Sequence, residues 1–153
     1  MESDEATYNL HIMVRYEIEK ELINGEINVS DLPDVWNSKM EEYLGITPPN
    51  DTKGVLQDIH WSMGAFGYFP TYTLGNLYAA QLLEAMAEEL GDIDELVAAG
   101  DWEPMLAWLR PRIHQRGSQV SPAQLIEDAT GSPPSPEPFL RYVERKYGEL
   151  YQL

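Results

Sequence analysis

Residues 4–23 read DEATYNLHIMVRYEIEKELI, and the spacing of the apolar residues in this stretch decides the fold class. Leu10, Met13, Val14, Ile18 and Leu22 recur at steps of three, four and one with charged residues between them, which is the period of a helix laid against a core. Asn24-Gly25 follows and stops the helix, because both residues tolerate positive φ.

The same pattern continues outward. Ser30 or Asp31 can cap a second helix with Pro33 in its first turn and Val35, Trp36, Met40 and Tyr43 on its apolar side; Gly45 ends it. Thr47-Pro-Pro-Asn-Asp51 cannot be helical. Pro70 suits the first position of a long helix reaching about Leu90, with Leu74, Leu77, Tyr78, Leu82 and Met86 as its apolar positions. Gly75 and Ala79 on it would let another helix approach closely. Shorter helices are predicted over about 93–99, 102–115 (bent at Pro111) and 122–129, the last capped by Ser121. Pro136 or Glu137 opens a final helix ending near Tyr147. Strand-period alternation and internal repeats are absent from the sequence, so the class is all-α, and 1–153 reads as a single helical region.

Charge narrows the partners. Acidic residues number 26 and basic residues 10, a net charge of −16. Such a surface repels phosphate backbones and anionic lipid, which argues against nucleic acid and against a membrane surface. The basic spots (Arg110, Arg112 and Arg116; Arg141, Arg145 and Lys146) read as solvated helix faces. The sequence has no cysteine, which excludes disulfides and thiolate chemistry and fits the cytoplasm.

Chemistry is expected in the glycine-interrupted stretch 54–72, since loops on a rigid scaffold carry sites. Gln57, Asp58 and His60 lie within four residues there, followed by Trp61, with Tyr68 and Tyr72 bracketing a helix start. Asp58 could fix the tautomer of His60 and leave the other ring nitrogen to face a substrate. On sequence alone this competes with a plainer reading, in which the Asp-x-His pair makes a structural hydrogen bond and the aromatic residues are core.

Other chemistries lack their residues. The three histidines (His11, His60 and His114) form neither H-E-x-x-H nor a close pair, so no complete metal site is expected in this chain. There is no G-x-S-x-G elbow and no phosphate-cradling glycine loop. An autonomous hydrolase built on Asp58 and His60 would need a nucleophile or metal that the sequence does not offer.

The stretch Gly54-Val-Leu-Gln57-Asp58-Ile-His60-Trp61 resembles the G-x-x-Q-D-x-H-W motif of the carboxypeptidase Taq family. Gly64-Ala-Phe-Gly-Tyr-Phe-Pro-Thr-Tyr-Thr-Leu-Gly-Asn-Leu-Tyr78 and Thr7-Tyr-Asn-Leu-His-Ile-Met-Val-Arg-Tyr-Glu-Ile-Glu19 are similar to that family as well, so the resemblance covers essentially the whole chain. A further family motif has Ile or Val, then Arg, two variable residues and Ala-Asp. Ser3-Asp4 stands in the place of Ala-Asp, with Met1 and Glu2 as the variable pair, and the arginine would fall just before Met1. By this resemblance the chain begins inside a motif, as an imposed boundary or a truncated reading frame would make it.

The resemblance implies the C-terminal third of a larger all-helical, zincin-type zinc carboxypeptidase that removes C-terminal amino acids from peptides. Its zinc would be bound by an H-E-x-x-H segment and a further glutamate, none of them in this chain, so the isolated chain is expected to bind no zinc and to be inactive. It further implies that His60, then Tyr72 or Tyr68, donates to the oxyanion of the tetrahedral intermediate. Gln57 and Asp58 would orient His60 and substrate, Trp61 and Phe66 would wall the cleft, and Asp4 would hold the arginine that meets the substrate's terminal carboxylate. The expected partners are peptide C-termini, the N-terminal lobes and a second copy in a homodimer. The alternative is a truncated, catalytically inactive helical interaction module.

Overall fold

Asp4 starts the first helix by accepting hydrogen bonds from Thr7 N and Thr7 Oγ1, both at 2.9 Å, so the orphan donors of the first turn have a partner. In this computed structural model, which describes residues 3–153, helix α1 runs Glu5–Ile23 and closes at Asn24. The chain divides into two compact units, one ending at Leu74 and the other covering Gly75–Leu153. Among the described residues every regular element is helical and none is a strand.

In the first unit α1 packs on α2 (Leu32–Leu44). Val14, Ile18, Trp36, Met40 and Val55 form its core, with Leu22, Val35, Tyr43 and Trp61 packed around them. Met13 departs from the expected stripe and is exposed; Ile12 takes the buried position on that side. Arg15 and Glu19 are buried on the same helix. Asp31 stands at the head of α2 without capping it. Its Oδ2 turns back to Asn28 N and Nδ2 at 3.1 and 3.0 Å, closing a short 3-10 turn over Val29–Asp31.

Helix α3 (Pro70–Leu90) begins at proline, whose missing N–H is no loss in a first turn. Apart from the helix's own backbone and the adjoining residues, no atom of the described residues comes within 4 Å of where a Cβ on Gly75 would lie, so that spot on α3 is open.

The second unit continues with α4 (Ile93–Ala99), α5 (Glu103–Leu109), α6 (Pro122–Thr130) and α7 (Glu137–Tyr151). Met86, Ile93 and Trp108 form its core. The helix expected over 102–115 breaks at Leu109, and Arg110–His114 is a π turn in which Gln115 N donates to Arg110 O at 2.9 Å. Pro111 has no N–H for the carbonyl of Ala107, so the chain widens by one residue at that point. Helix α7 outruns its expected end because Tyr147 and Tyr151 stack one turn apart at 6.0 Å, offsetting the cost of Gly148 between them. No helix of the described residues is long and apolar enough to cross a membrane.

Candidate active site

The loop joining α2 to α3 is pinned at two places. Gly54 lies where a Cβ would sit 3.2 Å from Pro48 Cβ and 3.3 Å from Asn50 O, so a side chain there would press Pro48 and the backbone aside by a few tenths of an ångström. Val55 then enters the core. Further along, the buried carboxylate of Glu19 accepts from Trp61 Nε1 at 2.9 Å and from Gly67 N at 3.0 Å, tying the middle of the loop to α1. Gly67 has φ of 78°, a left-handed conformation that costs a side-chain-bearing residue strain.

Between these anchors the loop presents Asp58 and His60. Arg15 reaches Asp58 from α1, with Nε donating to Oδ2 at 2.6 Å. Its Nη1 donates to His11 O at 2.7 Å, and its guanidinium lies over the rings of Trp36 and Phe69 at 4.8 and 5.5 Å. The other Asp58 oxygen faces His60 Nδ1 at 4.0 Å, longer than a hydrogen bond. His60 Nδ1 is buried and has no hydrogen-bond partner among the described residues.

On its other side His60 meets the start of α3. His60 Nε2 and Tyr72 Oη lie 3.3 Å apart, a hydrogen bond whose direction follows the histidine tautomer. Phe69 packs on the imidazole at 4.5 Å and Tyr68 stacks over it at 5.9 Å. His60 and Tyr72 both line a cavity of about 300 Å³, shared with Arg15, Asp58, Gln57 and Lys53. Burial, then the neighbouring Tyr68, Tyr8 and Asp58, push the Tyr72 hydroxyl above the usual tyrosine range, so it keeps its proton at neutral pH. Burial, then the Arg15 cation, pull the nearby His11 below the usual histidine range, so it is neutral there.

Five of the expected site residues therefore converge: Gln57, Asp58, His60 and Tyr72 on the cavity, and Tyr68 on the outer face of the imidazole. Trp61 sits behind them, edge-on to Trp36 at 6.0 Å and stacked with Phe66 at 6.3 Å. Asp4 caps α1; the neighbouring pair Met1 and Glu2 lies outside the described residues. Sequence reasoning did not single out Arg15, Glu19 or Lys53. The signal for the first two was the step of four through His11, Arg15 and Glu19, which puts them on one side of α1. Among the described residues no three or more of His, Asp and Glu converge as a metal site requires, so the described side chains alone do not fit a zinc ion.

Comparison with known proteins identifies the family. Residues 1–147 match the model of the carboxypeptidase Taq (M32) metallopeptidase family. The chain is 51% identical over 151 residues to thermostable carboxypeptidase 1 of Thermus thermophilus, covering 99% of this chain and 30% of that protein. It is 47% identical over 153 residues to carboxypeptidase 1 of Bacillus subtilis, covering all of this chain and again 30% of the relative. The crystal structure of a carboxypeptidase of this family from Deinococcus radiodurans superposes with a TM-score of 0.95 at 39% identity, over 99% of this chain and 31% of that one. The chain thus spans about 30% of the length of the relatives it matches. With its all-helical fold and its G-x-x-Q-D-x-H-W loop, the chain belongs to the carboxypeptidase Taq family of metallopeptidases.

Proposed function

We propose that this chain forms one wall of the substrate cleft of a zinc-dependent metallocarboxypeptidase that removes C-terminal amino acids from peptides. On that wall His60 and Tyr72 meet the oxygen that becomes negative as the peptide carbonyl is attacked. The observation that carries the proposal is the 3.3 Å approach of His60 Nε2 to Tyr72 Oη at the edge of a cavity both residues line.

Peptide hydrolysis passes through a tetrahedral intermediate, and donors already aimed at its oxyanion lower the barrier without reorganising. Tyr72 keeps its proton at neutral pH and so serves as a donor. His60 donates from Nε2 once it carries a second ring proton. Gln57 offers its amide to the bound peptide, Asp58 orients His60, and Trp61 with Phe66 stiffens the aromatic flank. Asp4 would steer the arginine that the family motif puts before it. Tyr68, stacked on the outer face of the ring, shapes the wall. The chemistry a zinc ion would supply is polarisation of the carbonyl and of a water; its ligands would come from segments other than these 153 residues. On its own the chain would therefore be inactive.

The test is His60→Ala in an active enzyme of the relatives' length that carries this chain. Zinc content should be retained while kcat falls on the order of a hundredfold, the size typical of losing one oxyanion donor. An unchanged kcat would end the assignment. Metal-dependent release of a C-terminal amino acid by the purified chain would overturn its proposed inactivity.

A further inference from the structure

Arg15 is an unusual residue to find on the core side of α1. It is 7% exposed, and a guanidinium in that position is costly unless every part of it is satisfied. Here it is held from several directions: Nη1 by the His11 carbonyl at 2.7 Å, Nε by Asp58 Oδ2 at 2.6 Å, and its plane by the rings of Trp36 and Phe69. A cation fixed in this way does not swing as a surface arginine does, so the carboxylate it grips is fixed too.

The grip leaves the second Asp58 oxygen turned toward His60. Oδ1 stands 4.0 Å from a ring nitrogen that is buried and otherwise without a partner. A bare Nδ1 lone pair facing a carboxylate is repelled, whereas an Nδ1–H is attracted and closes to a hydrogen bond with a small rotation. With one proton on Nδ1, the neutral ring accepts the Tyr72 hydroxyl at Nε2. Any further proton can then enter only at Nε2, the atom beside the cavity.

We infer that Arg15 is a positioning residue for His60: by clamping Asp58 it holds the resting ring proton on Nδ1 and reserves Nε2 for the side that faces substrate. The functional meaning of this rests on His60 meeting the carbonyl oxygen, but the proton's place does not, and the two can be tested apart.

The experiment is nitrogen NMR of the histidine rings in this 153-residue chain, unsubstituted and as Arg15→Met and Arg15→Lys, at a pH where His60 is neutral. The Trp61 Nε1–H resonance, bonded to Glu19, reports that the loop is folded. The unsubstituted chain should show mainly Nδ1–H for His60 and a slowly exchanging Arg15 Nε–H. Arg15→Met should move the ring toward the Nε2–H form, and Arg15→Lys, which keeps the charge but loses the Nε donor, should move it part of the way. A merely structural Arg15 would change stability and leave the tautomer alone. The proposal is overturned by an Nε2–H ring in the unsubstituted chain, or by an unmoved tautomer in folded Arg15→Met. Should Arg15→Met not fold, an unmoved tautomer in Arg15→Lys overturns it equally. Failure of the oxyanion assignment would show in kcat and not in these spectra.

Discussion

His60 Nε2 and Tyr72 Oη, twelve residues apart in sequence, stand 3.3 Å apart because a loop tied to α1 and the first turn of α3 bring them together. Tyr68, closer in sequence, stacks on the ring instead of bonding its nitrogen. The two tyrosines should therefore separate in an active enzyme of the relatives' length. Tyr72→Phe is expected to lower kcat on the order of a hundredfold, whereas Tyr68→Phe leaves it nearly unchanged. Steady-state kinetics on the two variants checks this, and the reverse order would give the donor role to Tyr68.

Glu19 is the pin of the loop. Glu19→Ala leaves the Trp61 and Gly67 donors unpaired, at roughly 1–3 kcal/mol each, so unfolding should be easier by about 2–6 kcal/mol. Gly67→Ala tests the same loop through its backbone. At φ of 78° the added Cβ meets no atom within 4 Å, so only strain is introduced, about 1–2 kcal/mol. Urea titration of both variants measures the losses.

The second unit has its own buried polar pin. The two protons of Gln81 Nε2 are shared among Thr130 Oγ1, Ser132 O and Pro133 O at 3.0–3.1 Å, and its Oε1 accepts from Ser135 N at 3.1 Å. Gln81→Leu should destabilise by about 2–4 kcal/mol. Hydrogen exchange should find the Ser135 amide, protected in the unsubstituted chain, exchanging faster.

The acid limb of stability should carry the mark of Glu17. Hydrogen bonds from Lys39 and then Tyr43, at 2.8 and 2.6 Å, hold its carboxyl below the usual glutamate value. A lowered pKa in the folded state stabilises fully above the unfolded value of about 4.5 and is lost as pH falls through the folded one. Glu17→Gln should thus flatten the decline below pH 4.5. The Glu17 side chain is 33% exposed, and solvent screening limits the change at neutral pH to under about 1 kcal/mol. Thermal unfolding between neutral pH and pH 3 reads both effects.

Much of this was legible from the residues. Helical spacing, proline at first turns and Ser121 before Pro122 located the helices, and Gly54 to Trp61 announced the polar loop. What escaped were residues whose surroundings contradict their type. Arg15 and Glu19 stand among the charged residues between the apolar positions of α1, yet both are buried, because each found partners more than forty positions away. Spacing could not choose between Tyr68 and Tyr72, because the angle at which the loop enters α3 decides which hydroxyl reaches the ring. Pro111 read as a bend, while the chain answered its missing donor with one widened turn.

The most direct test of the central claim is a double-mutant cycle on His60 and Tyr72 in an active enzyme of the relatives' length carrying this chain. If the two side chains serve one oxygen together, removing either spoils the arrangement, and His60→Ala combined with Tyr72→Phe should have a kcat close to that of the worse single variant. Losses that multiply as independent contributions, with zinc content unchanged throughout, would contradict it.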